Sequence, residues 1–130
     1  MDEEMKMQVL VFHPDLIRTG RGHQALIRII VLNDEGVTHH EARIYFNPVG
    51  PATETWLVER WQPRVLATDD PAGGLSFKLG DLAPGQSLTL SVNAAPPVIT
   101  ETKKYPIEVA FESSIKKRKT LYRGEITVTR

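Results

Sequence analysis

The segment Leu79–Glu112 contains the clearest strand signals in the chain: it begins LGDLAPGQSLTLSVN and ends KYPIEVAFE. Its first part has a Pro84-Gly85 turn, which is followed by a strand in which apolar and polar residues alternate. A proline-containing connection then leads to a second alternating strand. Strands with one apolar face are typical of an antiparallel sheet that packs on a core. The segment therefore predicts two consecutive strands of a β-sandwich.

The alternation also predicts which side chains face the core. On both strands every second residue is apolar, and the residues between them are mostly polar. A slip of one residue would expose both apolar sets to water, so the register is well specified. The predicted inward-facing residues are Leu88, Leu90, Val92, Tyr105, Ile107, Val109 and Phe111.

Period-two patterning recurs along the chain and is interrupted by turn residues at the spacing of a sandwich. The further predicted strands are Lys6–Phe12, Gln24–Leu32, Glu41–Phe46, Leu75–Gly80 and Leu121–Thr129. We therefore predict an all-β fold, an immunoglobulin-like antiparallel β-sandwich of about seven to nine strands. A chain of 130 residues can bury one core, so residues 1–130 are expected to form a single domain.

Two segments need separate comment. Gln24–Leu32 is apolar on both faces except at Arg28, which predicts either a strand covered on both sides or an outer face that meets something else. Thr53–Thr68 is compatible with a strand that has Trp56 on one face, or with a short helix. We favour a strand, followed by a loop through Asp69–Gly74.

The composition excludes some classes of protein. The chain has no cysteine, so it has neither a disulfide nor a thiolate site. Its 16 basic and 16 acidic residues balance, and no nucleic-acid partner is expected because such proteins usually carry a basic excess. No apolar segment is long enough to cross a bilayer. The acidic N-terminus is unlike a signal peptide, which predicts a cytoplasmic protein if the chain is complete and a cell-envelope or extracellular one if it is an excised domain.

No metal, cofactor or catalytic motif is evident. The histidines lack the spacing of zinc ligands, and neighbours on a strand point to opposite faces. We therefore expect ordinary surface or turn histidines at His13, His23, His39 and His40. Asp69-Asp70 lacks the pattern of a calcium loop and is expected in a solvated turn. The serines Ser87, Ser91, Ser113 and Ser114 have no histidine nearby in sequence, so we expect no enzyme, although a triad of sequence-distant residues stays open.

Two groups of residues are candidates for contacts with a partner. The first is Trp56, Arg60, Trp61 and Arg64, because tryptophan and arginine are enriched at protein interfaces and tryptophan also stacks on sugars. We expect one tryptophan to fill the core and the other to be partly exposed.

The second group is the basic run Lys116, Lys117, Arg118 and Lys119, expected in the hairpin loop between the last two strands. Four cations at a loop tip suit a phosphate or an anionic membrane. We favour the alternative of a solvated loop that deters edge pairing.

At these strands and turns the chain resembles a known group of modules. Val31–Gly36 (VLNDEG), Leu82–Ser87 (LAPGQS) and Tyr105–Val109 (YPIEV) are similar to segments of bacterial and archaeal CARDB and NEW3-type domains. The MSP/ASH-type domains are a second set of relatives that show the same order of turns and strands. The chain departs from the pattern at Lys104, where a glycine is usual, and Thr53–Gly74 is longer than in compact members. The resemblance implies an interaction or spacing role without catalytic residues.

We therefore predict a non-catalytic protein-interaction or spacer module that belongs to a larger assembly or a homo-oligomer. The expected partner is another protein or a second copy of the chain. The alternative is a carbohydrate-binding module that uses exposed tryptophans, with a glycan as partner.

Overall fold

The computed structural model describes residues 7–20, 22–48, 56–70 and 74–130, and these residues form ten β-strands in two sheets. The strands are β1 (Met7–Phe12), β2 (Leu16–Arg18), β3 (Ala25–Asn33), β4 (His39–Pro48), β5 (Leu57–Gln62), β6 (Ala67–Asp69), β7 (Leu75–Leu82), β8 (Ser87–Ala95), β9 (Lys103–Ser113) and β10 (Lys116–Thr129). The number exceeds the expected range because of two strands of three residues each. β2 lies between the first two predicted strands, and β6 crosses from the end of Thr53–Thr68 into the predicted loop.

The strands divide into a four-stranded sheet, in the order β1-β3-β8-β5, and a six-stranded sheet, in the order β2-β10-β9-β4-β7-β6. All pairs are antiparallel except β2 with β10. Between β1 and β2 the chain leaves one sheet and joins the other. This arrangement is an immunoglobulin-like β-sandwich, and the predicted fold class is confirmed.

The core lies between the two sheets and contains most of the residues that the alternation predicted. Leu90, Val92, Ile107, Val109 and Phe111 have no exposed surface. Leu88 is only half-buried. Burial of alternate residues on both strands supplies the hydrophobic stabilisation that a sandwich requires.

The segment that sequence patterning left open forms a strand, not a helix. β5 pairs with β8, and its register shifts between Val58 and Arg60. The shift is a β-bulge, which moves later side chains to the opposite face. Parts of three predicted segments lie outside the described residues: residue 6 of the first strand, residues 53–55 of Thr53–Thr68 and residues 71–73 of the loop through Asp69–Gly74.

The basic run was predicted to lie in a loop, but it does not. The turn between β9 and β10 consists of Ser114 and Ile115, and Lys116–Lys119 form the start of β10. A two-residue turn is the shortest hairpin connection, so Lys116 and Lys119 pair with β9, with a register shift between them. In the part of the chain that is described, no helix is long and apolar enough to cross a membrane.

Candidate interaction surface

The outer face of the four-stranded sheet carries a group of apolar side chains on β1 and β3. Within the described ranges, no other strand packs over this side of the sheet. Three of the residues are exposed to 54% (Leu10), 56% (Phe12) and 46% (Leu26). We name the group the β1–β3 apolar face; it consists of Leu10, Phe12, Leu26, Ile30 and Leu32.

The strand register brings these side chains together. Leu10 lies opposite Ile30, and Phe12 lies opposite Arg28 in the antiparallel β1–β3 pair. Directly opposed residues of such a pair share one face of the sheet, with Cβ atoms roughly 5 Å apart. The sequence prediction that Gln24–Leu32 has an outer face meeting something else therefore remains, because the described residues leave this face uncovered.

The apolar face is confined to one side of the sheet. On the neighbouring strand β8 the outward residues are polar: Ser87, Thr89, Ser91 and Asn93. A shallow depression lined by Phe12, His13, Leu26 and Arg28 lies at the apolar side, and another involves Arg60 and Gln62 on β5. The apolar face therefore extends from the free edge of β1 onto the inner strand β3, and Leu57, which is 53% exposed on β5, lies apart from it at the opposite edge.

The two tryptophans are both half-buried, whereas one buried and one partly exposed ring were expected. Trp61 packs edge-on against Phe77 in the core, at 5.6 Å between ring centres, and its Nε1 donates to the carbonyl of Val65 at 2.8 Å. Trp56 packs edge-on against Tyr105 at 6.1 Å. Both rings therefore contribute to packing within the sandwich.

The predicted tryptophan–arginine group stays a prediction: Arg60 and Trp61 line one shallow depression, whereas Trp56 packs on Tyr105. Arg60 and Arg64 are exposed, but the bulge after Val58 turns Trp61 toward the core. The Nε1 of Trp56 is buried and has no hydrogen-bond partner among the described residues. The bulge is set by pairing with β8, so the local sequence gives no signal for it.

Arg118, in the basic run, is engaged within the molecule. Its guanidinium donates to Asp70 Oδ2 at 2.7 Å, to Asp70 Oδ1 at 3.3 Å and to Asn47 Oδ1 at 3.1 Å. It also lies 3.8 Å from the centre of the Tyr45 ring. The hydrogen bond to Asp70 raises the pKa of Arg118 above its usual value. Asp70 is buried, so the expectation of a solvated residue is wrong for Asp70, whereas Asp69 is exposed at the end of β6.

Tyr45 belongs to the same polar cluster. Its hydroxyl donates to a carboxylate oxygen of Glu112. Burial raises the pKa of Tyr45, and the hydrogen bond to Glu112 and the charge of that carboxylate raise it further. The charges of Arg118 and Arg43 act in the opposite direction. The cluster joins β4, β9, β10 and the residue that follows β6. Of the three exposed cations of the basic run, it engages Arg118, and the other two are Lys117 and Lys119.

The structure brings one sequence-distant Ser–His–acid group together. His39 Nδ1 lies 2.7 Å from Ser113 Oγ, and His39 Nε2 lies 2.6 Å from Glu35 Oε1. The expectation of a surface or turn histidine is wrong for His39, which is fully buried. No sequence signal predicted this contact, because it joins residues 74 positions apart.

This group lacks the features of a working nucleophile. The imidazole is closed to solvent, so it has no access to a substrate. The neighbouring backbone donors are also occupied: Ser114 N–H donates to the carbonyl of His40 at 2.8 Å, and Ile115 N–H donates to Ser113 Oγ at 3.3 Å. A tetrahedral oxyanion would therefore find no free donor from these two groups. The contacts tie β4 to the β9–β10 turn.

Of the other histidines described, His13 and His40 each have a side-chain partner, and His23 is exposed. His13 Nε2 lies 2.5 Å from the hydroxyl of Tyr122, and His40 Nδ1 lies 3.0 Å from a carboxylate oxygen of Asp81. Among the described residues no three histidine, aspartate or glutamate side chains are grouped so as to hold a metal ion.

No protein-family model matches the chain, and no curated protein matches it. The resemblance to CARDB, NEW3-type and MSP/ASH-type modules therefore stays a prediction beyond the immunoglobulin-like fold itself.

Solved structures do resemble the fold. AvmM, which catalyses macrocyclization in alchivemycin A biosynthesis, aligns over 98% of this chain and 90% of its own, with 10% identity and a TM-score of 0.60. A cohesin module from a Clostridium perfringens family 33 glycoside hydrolase aligns over 95% of both chains, with 13% identity and a TM-score of 0.55. A family 123 glycoside hydrolase from the same species aligns over 95% of this chain and 27% of its own, with 9% identity and a TM-score of 0.53. At these identities the likeness shows the fold alone.

Proposed function

We propose that the protein is a non-catalytic interaction module that binds a protein partner through the β1–β3 apolar face. The observation that carries the proposal is the exposure of Leu10, Phe12 and Leu26 side by side on a sheet face. Contiguous apolar surface is unfavourable in water and marks interaction sites on folded proteins. Arg28, at the centre of the group, adds a residue type that is enriched at interfaces.

Two of the three similar structures support a modular role, whereas AvmM, which aligns over 90% of its own chain, is itself a catalyst. The cohesin module is part of a glycoside hydrolase, and the family 123 glycoside hydrolase contains the fold in about a quarter of its length. The same sandwich therefore serves as one unit of a larger protein in those cases. We extend this role to the present chain as a unit of a larger assembly.

Carbohydrate binding is the weaker alternative. Sugar-binding modules present aromatic rings to solvent, whereas Trp56 and Trp61 pack edge-on against Tyr105 and Phe77. We expect tryptophan fluorescence to stay unchanged during titration with soluble glycans. A saturable change in fluorescence would favour the carbohydrate alternative.

A photo-crosslinking experiment tests the proposal. A benzophenone amino acid replaces Leu26 on the apolar face, and in a matched control it replaces Val98, which is 71% exposed and belongs to neither sheet. We expect the Leu26 probe, in extracts of the source organism, to yield a discrete protein adduct that the Val98 probe does not yield. Equal adduct patterns from the two positions, or no adduct from either, would contradict the proposal.

A further inference from the structure

We propose that the edge of the β1–β3 apolar face formed by β1 is covered by a second copy of this chain, whose β1 pairs antiparallel with β1 across a twofold axis. The pairing would join the two four-stranded sheets into one continuous sheet. This inference rests on the proposed function and names the partner of the same surface. It is carried by the character of the sheet edges and by the self-complementarity of β1.

β1 is the one edge among the described strands that has no protection against pairing. The four edges are β1 and β5 in one sheet, and β2 and β6 in the other. Proteins protect edges with short strands, charges, prolines or bulges. β2 and β6 are three residues long, and β5 has a bulge together with the exposed charges of Glu59 and Arg60. β1 has six residues, MQVLVF, with an unbroken register, no charge and no proline.

The exposed apolar side chains lie beside this same edge. Leu10 and Phe12 are on β1 itself, and the next strand over contributes Ile30 and Leu26. A strand added at the β1 edge would place its outward side chains beside Leu10 and Phe12, and it would also satisfy the free backbone donors and acceptors of β1. Ile30 and Leu26, one strand further in, would continue the same apolar face.

A second copy fits both faces of β1. In an antiparallel pair, opposed residues point to the same face, so Leu10 and Phe12 would meet the outward side chains of the copy. The inward residues Val9 and Val11 are only half-buried although they face the core, because β1 lies at the rim of the sandwich. The same residues of the copy would cover them.

The charge distribution also permits self-pairing. Like charges that lie directly opposite each other destabilise a strand pair, and Met7–Phe12 contains no charged residue. The interface is isologous, so each copy uses its β1 edge once. Because the remaining edges are short, bulged or charged, the association is expected to stop at a dimer and not to continue into a fibre.

A six-residue strand pair is about 20 Å long, and its interface is smaller than the roughly 1,600 Å² of a standard stable complex. We therefore expect a reversible dimer with a dissociation constant in the micromolar range. Sedimentation equilibrium over a range of protein concentrations measures this constant directly.

The first test is a charge placed on β1. Leu10→Lys puts a cation at the proposed contact, and Leu66→Lys is the matched control because Leu66 is 64% exposed and lies outside both sheets. We expect Leu10→Lys to weaken self-association at least tenfold and Leu66→Lys to leave it unchanged. Near-UV circular dichroism checks that both variants keep the native packing.

The second test locates the contact between the two copies by disulfide cross-linking, and it does not require a measurement of their affinity. Because the chain has no cysteine, single cysteines at Gln8, Leu10, Phe12 and Leu66 can be oxidised without interference. Opposed strand residues have Cβ atoms close to the distance that a disulfide requires. We expect cross-linked dimer from the outward β1 position nearest the twofold axis, and much less from Leu66.

Each outcome separates the inference from the proposed function. A wild-type chain that stays monomeric at all concentrations overturns the inference, and a Leu26 adduct with a different protein would then leave the proposed function standing. A wild-type dimer that Leu10→Lys does not weaken, and that gives no cross-link on β1, also overturns the inference, because the copies then meet elsewhere than at β1. A monomer that yields no adduct at Leu26 contradicts both proposals.

Discussion

At the scale of single residues, Gly74 permits the chain to pass close to β4. Its φ is 84°, and a Cβ built on it would overlap the carbonyl oxygen of Phe46. We expect Gly74→Ala to lower the free energy of unfolding by about 3 kcal/mol, because backbone strain and a backbone clash add together. Gly80 is the matched control, since its φ is also 84° but nothing lies within 4 Å of the added atom.

Gly80→Ala should lower the free energy of unfolding by only about 1–2 kcal/mol, which is the penalty of a positive φ for alanine. Urea denaturation of the two variants gives the comparison. Equal losses would show that the close approach to Phe46 does not contribute.

A second residue-scale prediction concerns Tyr45 at high pH. Burial and the neighbouring Glu112 raise its pKa in the folded protein above the ordinary value of 10.0. A raised folded-state pKa means that the contribution to stability is complete below about pH 10 and is lost as the pH rises further. We expect the free energy of unfolding to fall above about pH 10, and to fall less steeply in Tyr45→Phe.

Chemical denaturation at several alkaline pH values measures this slope. Burial also raises the pKa of Tyr122, and the charge of Asp15 raises it further. Part of the slope should therefore persist in Tyr45→Phe. Identical slopes in wild type and variant would contradict the assignment to Tyr45.

At the scale of elements, the Arg118–Asp70 pair holds β10 to the end of β6. Removing one partner of a buried, hydrogen-bonded ion pair leaves an uncompensated charge. We expect Arg118→Met to lower the free energy of unfolding by about 2–3 kcal/mol, a value reduced from that of a fully buried pair because Arg118 is partly exposed. Lys119→Met, at the exposed next position, should change it by less than about 0.5 kcal/mol.

Arg118→Lys distinguishes charge from geometry. Lysine keeps the charge but cannot donate to Asp70 and Asn47 with a planar fork, so we expect an intermediate loss. Thermal and urea unfolding of the three variants give the ranking. A loss in Arg118→Lys equal to that in Lys119→Met would mean that charge alone stabilises the pair.

The elements also show what sequence patterning can and cannot predict. Strict alternation predicted β8 and the inward face of β9, because period two is a local property of a strand. The register shifts in β4 between His39 and Ala42, and in β5 after Val58, were not predicted. A bulge depends on the partner strand, so its residues carry no local signal.

Part of the candidate surface was also predicted from the sequence, and part was not. The apolar outer side of Gln24–Leu32 was predicted from its composition, and the structure shows Leu26 exposed there. Leu10 and Phe12 were not singled out, because their significance depends on β1 being an edge of the sheet. The contact between Arg118 and Asp70 joins residues 48 positions apart, and no spacing rule identifies such a pair.

At the scale of the whole molecule, the proposed dimer links stability to concentration. Association that involves only the folded state raises the unfolding temperature as protein concentration increases. We expect this rise in the wild type and in Leu66→Lys, and its absence in Leu10→Lys. Calorimetry over a hundredfold range of concentration, on the order of micromolar to submillimolar, makes the measurement. A concentration-independent wild type would argue against self-association.

The crossing of the chain from β1 to β2 has a mechanical consequence. β2 and β10 run parallel, with Thr19 N–H donating to the carbonyl of Thr129 at 2.6 Å and Thr127 N–H donating to that of Asp15 at 2.9 Å. Because the strands are parallel, tension that pulls β2 backward and β10 forward acts along the strands and perpendicular to their hydrogen bonds. All the bonds of this patch would then bear load together and break in shear, not one after another. A module joined to neighbours through both ends would meet this shear resistance once β1, which precedes β2, has separated from β3.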